Sequence, residues 1–183
     1  VRRHELEHLV AAAARITGQD EFVVIGSQAI LGSTDEPPET LLQSMEADIY
    51  PLDDPGGADT IDVMLGDGSQ FHLAYGYYAH GVGPETAKAP AGWQERLVRR
   101  EVPARPGSDQ IAVAWCLEVH DLVLSKCAAG RDRDWDYASA ALAGNVVRGD
   151  LLLHRALTLP LSADAVQHVV RMLRARIATT GAT

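Results

Sequence analysis

The most restrictive feature of the chain is a short apolar run, Phe22-Val23-Val24-Ile25, that stops at Gly26-Ser27 and is followed by a second short run, SMEADIYP. A β-branched run of this length suits a buried strand. Its Gly-Ser end reads as a turn, with Ser27 able to cap a short helix through Gln28, Ala29, Ile30 and Leu31. The second run reads as a strand over Glu46 to Tyr50 that Pro51 ends. On that strand Glu46 and Asp48 are two apart, so their side chains share a face. Two carboxylates so placed repel unless a cation sits between them. An all-oxygen pair favours Mg²⁺ or Mn²⁺, with water and phosphate oxygens completing the shell. Gly26-Ser27 offers an open backbone, a hydroxyl and a helix N-terminus, which together attract phosphate.

The remaining elements follow from periodicity. His4 to Thr17 carries Leu6, Leu9, Val10, Ala13 and Ile16 at helical spacing, with Gly18 as the stop. TDEPPET and DDPGGA are loops, and Asp59 reads as the cap of a helix to Leu65. Phe71 to Tyr78 has strand character, as do Leu97 to Val102 and Gln110 to Trp115. From His120 helices take over: Asp121 to Ala129, Asp132 to Ala143, Leu151 to Thr158 and Ser162 to Ile177. The expected fold class is α+β: a small mixed sheet in a core over 1–115, with a helical extension over 116–183 packed on it as one unit.

A net charge of −9 argues against a protein that grips long duplexes through a basic stripe. No run reaches the ~20 apolar residues of a membrane span, and VRRHELEHLV is no signal-peptide core. Cys116 and Cys127 form no metal-ligand pair or disulfide framework, so a reduced cytoplasm is the expected compartment. Lysine occurs at Lys88 and Lys126 alone, against many arginines. Lys88 lies in a Gly- and Pro-rich loop where a solvated charge is cheap. Lys126 lies among apolar helix neighbours, where an unpaired ammonium is costly.

FVVIGSQAILG followed by SMEADIY resembles the signature of nucleotidyltransferases of the DNA polymerase β type, and among them the AbiEii/MenT-like branch of bacterial toxins. LEVHDLVLSKCAAGRDRDWDY is similar to later motifs of that branch, and YGYYAHGVGPETAKAPAGWQERL looks like a subfamily hallmark. The resemblance covers about Glu21 to Leu142. It implies phosphate binding by Gly26 and Ser27, metal binding by Glu46 and Asp48, a charge-balancing Lys126 and a late acid at Asp134, which would orient Lys126 or the acceptor. The chain departs from the pattern in having Glu rather than Asp at position 46, one methylene longer, and Tyr50 where some relatives carry a further acid.

The implied chemistry is metal-dependent transfer of NMP from an NTP. By resemblance the acceptor is a tRNA 3′ end and the protein a toxin with a cognate antitoxin. Two alternatives stand beside it: transfer to a cationic small molecule, which net acidity suits, and a non-catalytic domain that binds nucleotide or a partner. Asp132, Asp134 and Asp136 cannot converge on one ion, because residues two apart on a helix differ by about 200°; at most one faces the site. Asp121 reads as a helix cap. His72, His80 and His120 read as structural, Trp93 and Arg96 as a buried ring beside a surface charge, Asp62 as a helix-face charge, and Val166, Val169, Val170 and Leu173 as a core- or partner-facing stripe.

Overall fold

In the computed structural model, which describes residues 1–104, 107 and 109–181, the chain opens with helix α1 (Arg3–Thr17). Its Leu6, Leu9, Val10 and Ala13 are buried, and Gly18 ends it in the left-handed region at φ 70°, where a side chain would be strained. Then come β1 (Glu21–Ile25), a 3₁₀ turn (Ser27–Ala29) and the single-turn α2 (Ile30–Ser33). β2 (Glu46–Pro51), α3 (Ala58–Leu65), α4 (Gln70–Tyr75), β3 (Tyr78–Gly81), β4 (Val98–Pro103) and β5 (Ile111–Cys116) follow. Four helices close the described chain: α5 (Val119–Ala129), α6 (Asp132–Ala143), α7 (Gly149–Ala156) and α8 (Ala163–Thr180).

The strands form one five-stranded mixed sheet in the order β3-β2-β1-β5-β4. β1 runs antiparallel to β2 and parallel to β5, β3 runs parallel to β2, and β4 antiparallel to β5. The central place of β1 explains its composition, since Phe22, Val23, Val24 and Ile25 are all buried and a strand covered on both faces has no use for polar alternation. β2 alternates instead: Ala47 and Ile49 are fully buried, whereas Glu46 and Asp48 are partly exposed. α1 and α3 pack on each other and on the sheet, while α5 to α8 pack among themselves. One apolar cluster runs from Leu6 in α1 through the sheet to Leu173 in α8. The fold is α+β, with the sheet in the first part and helices dominating the second.

Several local expectations differ from the structure. Phe71 to Tyr78 is not a strand: α4 occupies Gln70–Tyr75, Ser69 caps it by accepting the His72 N–H, and β3 begins only at Tyr78. Its aromatic residues suggest β structure, but Phe71 and Tyr75 are four apart and meet on one helical face, with both rings against His8 of α1. Asp59 does not cap α3, which starts at Ala58 after a 3₁₀ turn over Pro55–Gly57. Asp121 does not cap α5 either. Glu118 does so, accepting the His120 N–H, while Asp121 is fully buried and bonded to Arg96 Nε at 2.7 Å and Arg155 at 3.0 Å.

That buried acid organises the helical half. Arg155 of α7 reaches both Glu118 and Asp121 at the start of α5, and Arg96 joins from the segment before β4. His120 Nε2 accepts the Arg148 N–H, so Nδ1 carries the proton and donates to Glu118 at 2.7 Å. Burial pushes the Glu118 carboxyl up, but the bonds from His120 and Arg155 outweigh it and hold it down at about 2. A carboxyl depressed from the usual 4.5 contributes stability that is whole above that value and is lost as pH falls toward the folded value. Chemical denaturation at pH 6 and pH 3 should therefore show a loss of about 2 kcal/mol from this group. Glu118→Gln should be less stable at pH 6 and flatter across the interval; a wild-type slope in the variant would show that another carboxylate carries it.

Candidate active site

The register of three neighbouring strands assembles one wall of a cleft of about 970 Å³. Asp48 lies opposite Ile25 of β1 and beside His80 of β3, and Glu46 lies beside Tyr78. His80 Nδ1 donates to Asp48 Oδ1 at 3.0 Å, and the Tyr78 hydroxyl donates to Glu46 Oε2 at 3.0 Å. Burial raises the Asp48 carboxyl above the usual carboxylate range; the His80 bond opposes this, and the Glu46 charge adds to it. Burial and the bond to Glu46 push the Tyr78 phenol up to about 12, so it remains a donor at neutral pH.

Gly26 stands directly against this wall. Its backbone, at φ 66° and ψ −165°, lies in a region that is essentially reserved for glycine. A Cβ there would meet Asp48 Oδ2 at 2.0 Å. The turn and the acid are thus in contact, and the missing side chain leaves the space in front of Oδ2. Ser27 begins a 3₁₀ turn rather than capping it, and its carbonyl accepts the Tyr137 hydroxyl at 3.4 Å. The following α2 is a single turn, so the helix-dipole contribution expected here is small.

Cations also line the cleft. The chain has no lysine or arginine between Arg15 and Lys88, so every such residue lining the cleft (Lys88, Lys126, Arg131 and Arg133) comes from the later part. The Lys126 side chain is 14% exposed, with Nζ 3.7 Å from Asp134 Oδ1 and 4.6 Å above the Tyr137 ring. Burial lowers the Lys126 ammonium from its ordinary value, while the charges of Asp134 and Asp48 raise it. Asp134 is buried and clamped by Arg131 Nε at 2.6 Å. Burial pushes its carboxyl up, but Arg131 and Lys126 outweigh that and hold it below the usual range.

The structure brings Gly26, Ser27, Glu46, Asp48, Lys126 and Asp134 to the one cleft. Lys88 is exposed, as its loop suggests, yet it also lines the cleft, because that loop leaves β3 just beyond His80. Asp136 joins Asp134 at the cleft, so two of the three acids of α6 reach it rather than one; the opening spans more than one helical face. Arg96 is taken by Asp121 and Trp93 is buried, and neither lines the cleft. Arg131, Arg133, Tyr78 and His80 were not found by sequence reasoning. The available signal for the last two was their spacing of two, matching that of Glu46 and Asp48.

The donor set fits a divalent cation of the Mg²⁺ type. Among the described residues no three Asp, Glu, His or Cys groups gather into a complete metal cage, so the protein would supply two carboxylates. A hard cation bound this way would draw its remaining ligands from water and substrate phosphates.

A family model described as nucleotidyltransferase of unknown function (DUF6036) matches residues 4–164. The chain belongs to that family. No curated protein and no solved structure matches it.

Gly26→Ala combines a forbidden backbone region with a collision against Asp48, and should lose about 3 kcal/mol or more. Gly18→Ala, left-handed at φ 70° but with nothing within 4 Å, should lose about 1 kcal/mol. Urea unfolding of both variants checks the difference; equal losses would mean that Asp48 moves aside freely.

Proposed function

We propose that this member of the nucleotidyltransferase family transfers a nucleoside monophosphate from a nucleoside triphosphate to an acceptor hydroxyl, with Mg²⁺ or Mn²⁺ held by Glu46 and Asp48. The observation that carries the reading is that one cleft is lined both by the carboxylates of β2 beside Gly26 and by Lys126, Arg131 and Arg133. A triphosphate needs both, a divalent cation and fixed positive charge, to balance its anionic oxygens. When bound, the divalent ion would act as a Lewis acid on the phosphate oxygens.

The chain's own groups divide the remaining work. The Gly26-Ser27 turn backs the β and γ phosphates, where no side chain stands between backbone and ligand. Lys126 balances the charge that grows on pyrophosphate as the bond to the α-phosphorus breaks and the bond from the acceptor oxygen forms. Asp134, itself held by Arg131, keeps Lys126 in place. Catalysis here is positioning and electrostatics, which suits a cleft whose charged groups are largely anchored.

The likeness to the AbiEii/MenT-like branch extends the proposal to a tRNA 3′ end as acceptor and to a toxin restrained by a cognate antitoxin. Lys88, Arg131 and Arg133 at the cleft support a phosphate-bearing acceptor. The acidic first part, without lysine or arginine from residue 16 to 87, supports a second reading in which a cationic small molecule is the acceptor.

Transfer from each α-labelled nucleoside triphosphate to pooled tRNA and to an aminoglycoside panel separates these. Label on tRNA is expected with wild type and absent with Asp48→Ala; label on the aminoglycosides alone would select the second reading, and no pyrophosphate release with any nucleotide would sink both. Lys126→Ala should lower kcat by about two orders of magnitude, the scale of one transition-state contact. Lys88→Ala should act mainly on KM, since an exposed rim lysine contributes through encounter and screened attraction. A kcat unchanged in Lys126→Ala would remove that residue from the chemistry.

A further inference from the structure

The edge strand β3 supplies one hydrogen-bond donor to each acid of β2. Parallel pairing sets Tyr78 beside Glu46 and His80 beside Asp48, and the period of two puts both pairs on one face of the sheet. The two contacts are matched, each 3.0 Å and each to one oxygen of its carboxylate, Oε2 of Glu46 and Oδ1 of Asp48. An ionised carboxylate can only accept, so the donors are the phenol O–H and the imidazole Nδ1–H. In each acid the other oxygen carries no such bond to β3, and in Asp48 it is the one against Gly26.

Tyr78 is itself held. Its ring lies 4.7 Å from that of His72 in α4, and His72 Nδ1 accepts the Gly68 N–H at 3.1 Å. The phenol thus has a ring neighbour on α4 as well as its bond to Glu46. This bears on the residue at position 46. Glutamate has one more rotatable bond than aspartate, and each additional rotor adds positions that must be given up when a ligand is bound. A donor fixed at the end of that longer arm removes the freedom in advance.

We propose that Tyr78 and His80 are positioning residues of the candidate metal site, each tying back one oxygen of an acid so that the other faces the cleft, and that Tyr78 specifically offsets the longer reach of Glu46. The proposal rests on the nucleotidyl-transfer reading, in which Glu46 and Asp48 hold the divalent ion. Each would act through the acid that it binds. Outer groups that orient ligands commonly change metal affinity by about 10- to 100-fold when removed.

The test is Mn²⁺ binding, read by electron paramagnetic resonance in the presence of a non-hydrolysable ATP analogue, for wild type, Tyr78→Phe, Glu46→Asp and the double variant. Tyr78→Phe should weaken Mn²⁺ about tenfold in the natural Glu46 background. In the Glu46→Asp background, where the acid no longer reaches the phenol, the same change should have an effect of less than about twofold. Equal losses in both backgrounds would overturn the compensation. For His80, replacement by Ala should weaken Mn²⁺ about tenfold and replacement by Gln, which keeps a donor, should recover most of the loss; equal loss in the two would overturn its role. Unchanged melting temperatures separate positioning from folding, and a variant that melts early is replaced in the series by Tyr78→His or His80→Asn. Absence of Mn²⁺ binding in wild type would sink the metal reading itself, an outcome distinct from failure of the positioning claim alone.

Discussion

Two carboxylates of like charge stand two residues apart on one strand, and one of them is largely withdrawn from water. That repulsion is the constraint around which the cleft is built. Asp48 is raised by burial and by Glu46, so its ionised form needs help. The structure offers it from three directions: His80 at 3.0 Å from β3, the charge of Lys126 from α5, and the open space that Gly26 preserves before Oδ2. Under the proposed function, the divalent ion and the triphosphate complete the compensation.

The placement of Lys126 depends on a separate buried network. Asp121, fully buried at the start of α5, binds Arg96 and Arg155, and Glu118 binds Arg155 and His120. These contacts hold the N-terminal turn of α5 against α7 and the segment before β4. Lys126 lies further along α5 and inherits its placement from that anchoring. Asp134 and Tyr137 of α6 then limit where Nζ can go. The site is thus a junction, with a sheet register setting the acids and a helix junction setting the lysine.

Much of this was legible in the chain. The burial of Phe22 to Ile25, the shared face of Glu46 and Asp48, the placing of Lys126 in a crowded helix and the start of α6 at Asp132 all follow from local period and local chemistry. What was missed shares one trait. Phe71 to Tyr75 read as β because aromatic residues favour strands, yet their contact with His8 of α1 favours a helix. Asp121 read as a cap because capping is a local act, yet its partners are 25 and 34 residues away. His80 read as structural because no other ligand residue lies at a suitable spacing along the chain.

The sequence by itself determined most of the elements and the common face of the two acids, because those depend on backbone geometry and on spacings of two to four residues. Only the tertiary structure decided which groups meet those acids. Tyr78 and His80 reach Glu46 and Asp48 through a parallel register 32 residues apart, and Lys126 of α5 reaches Asp134 of α6 through helix packing. Register and packing are set by the whole apolar core at once, and no local window of the chain contains them.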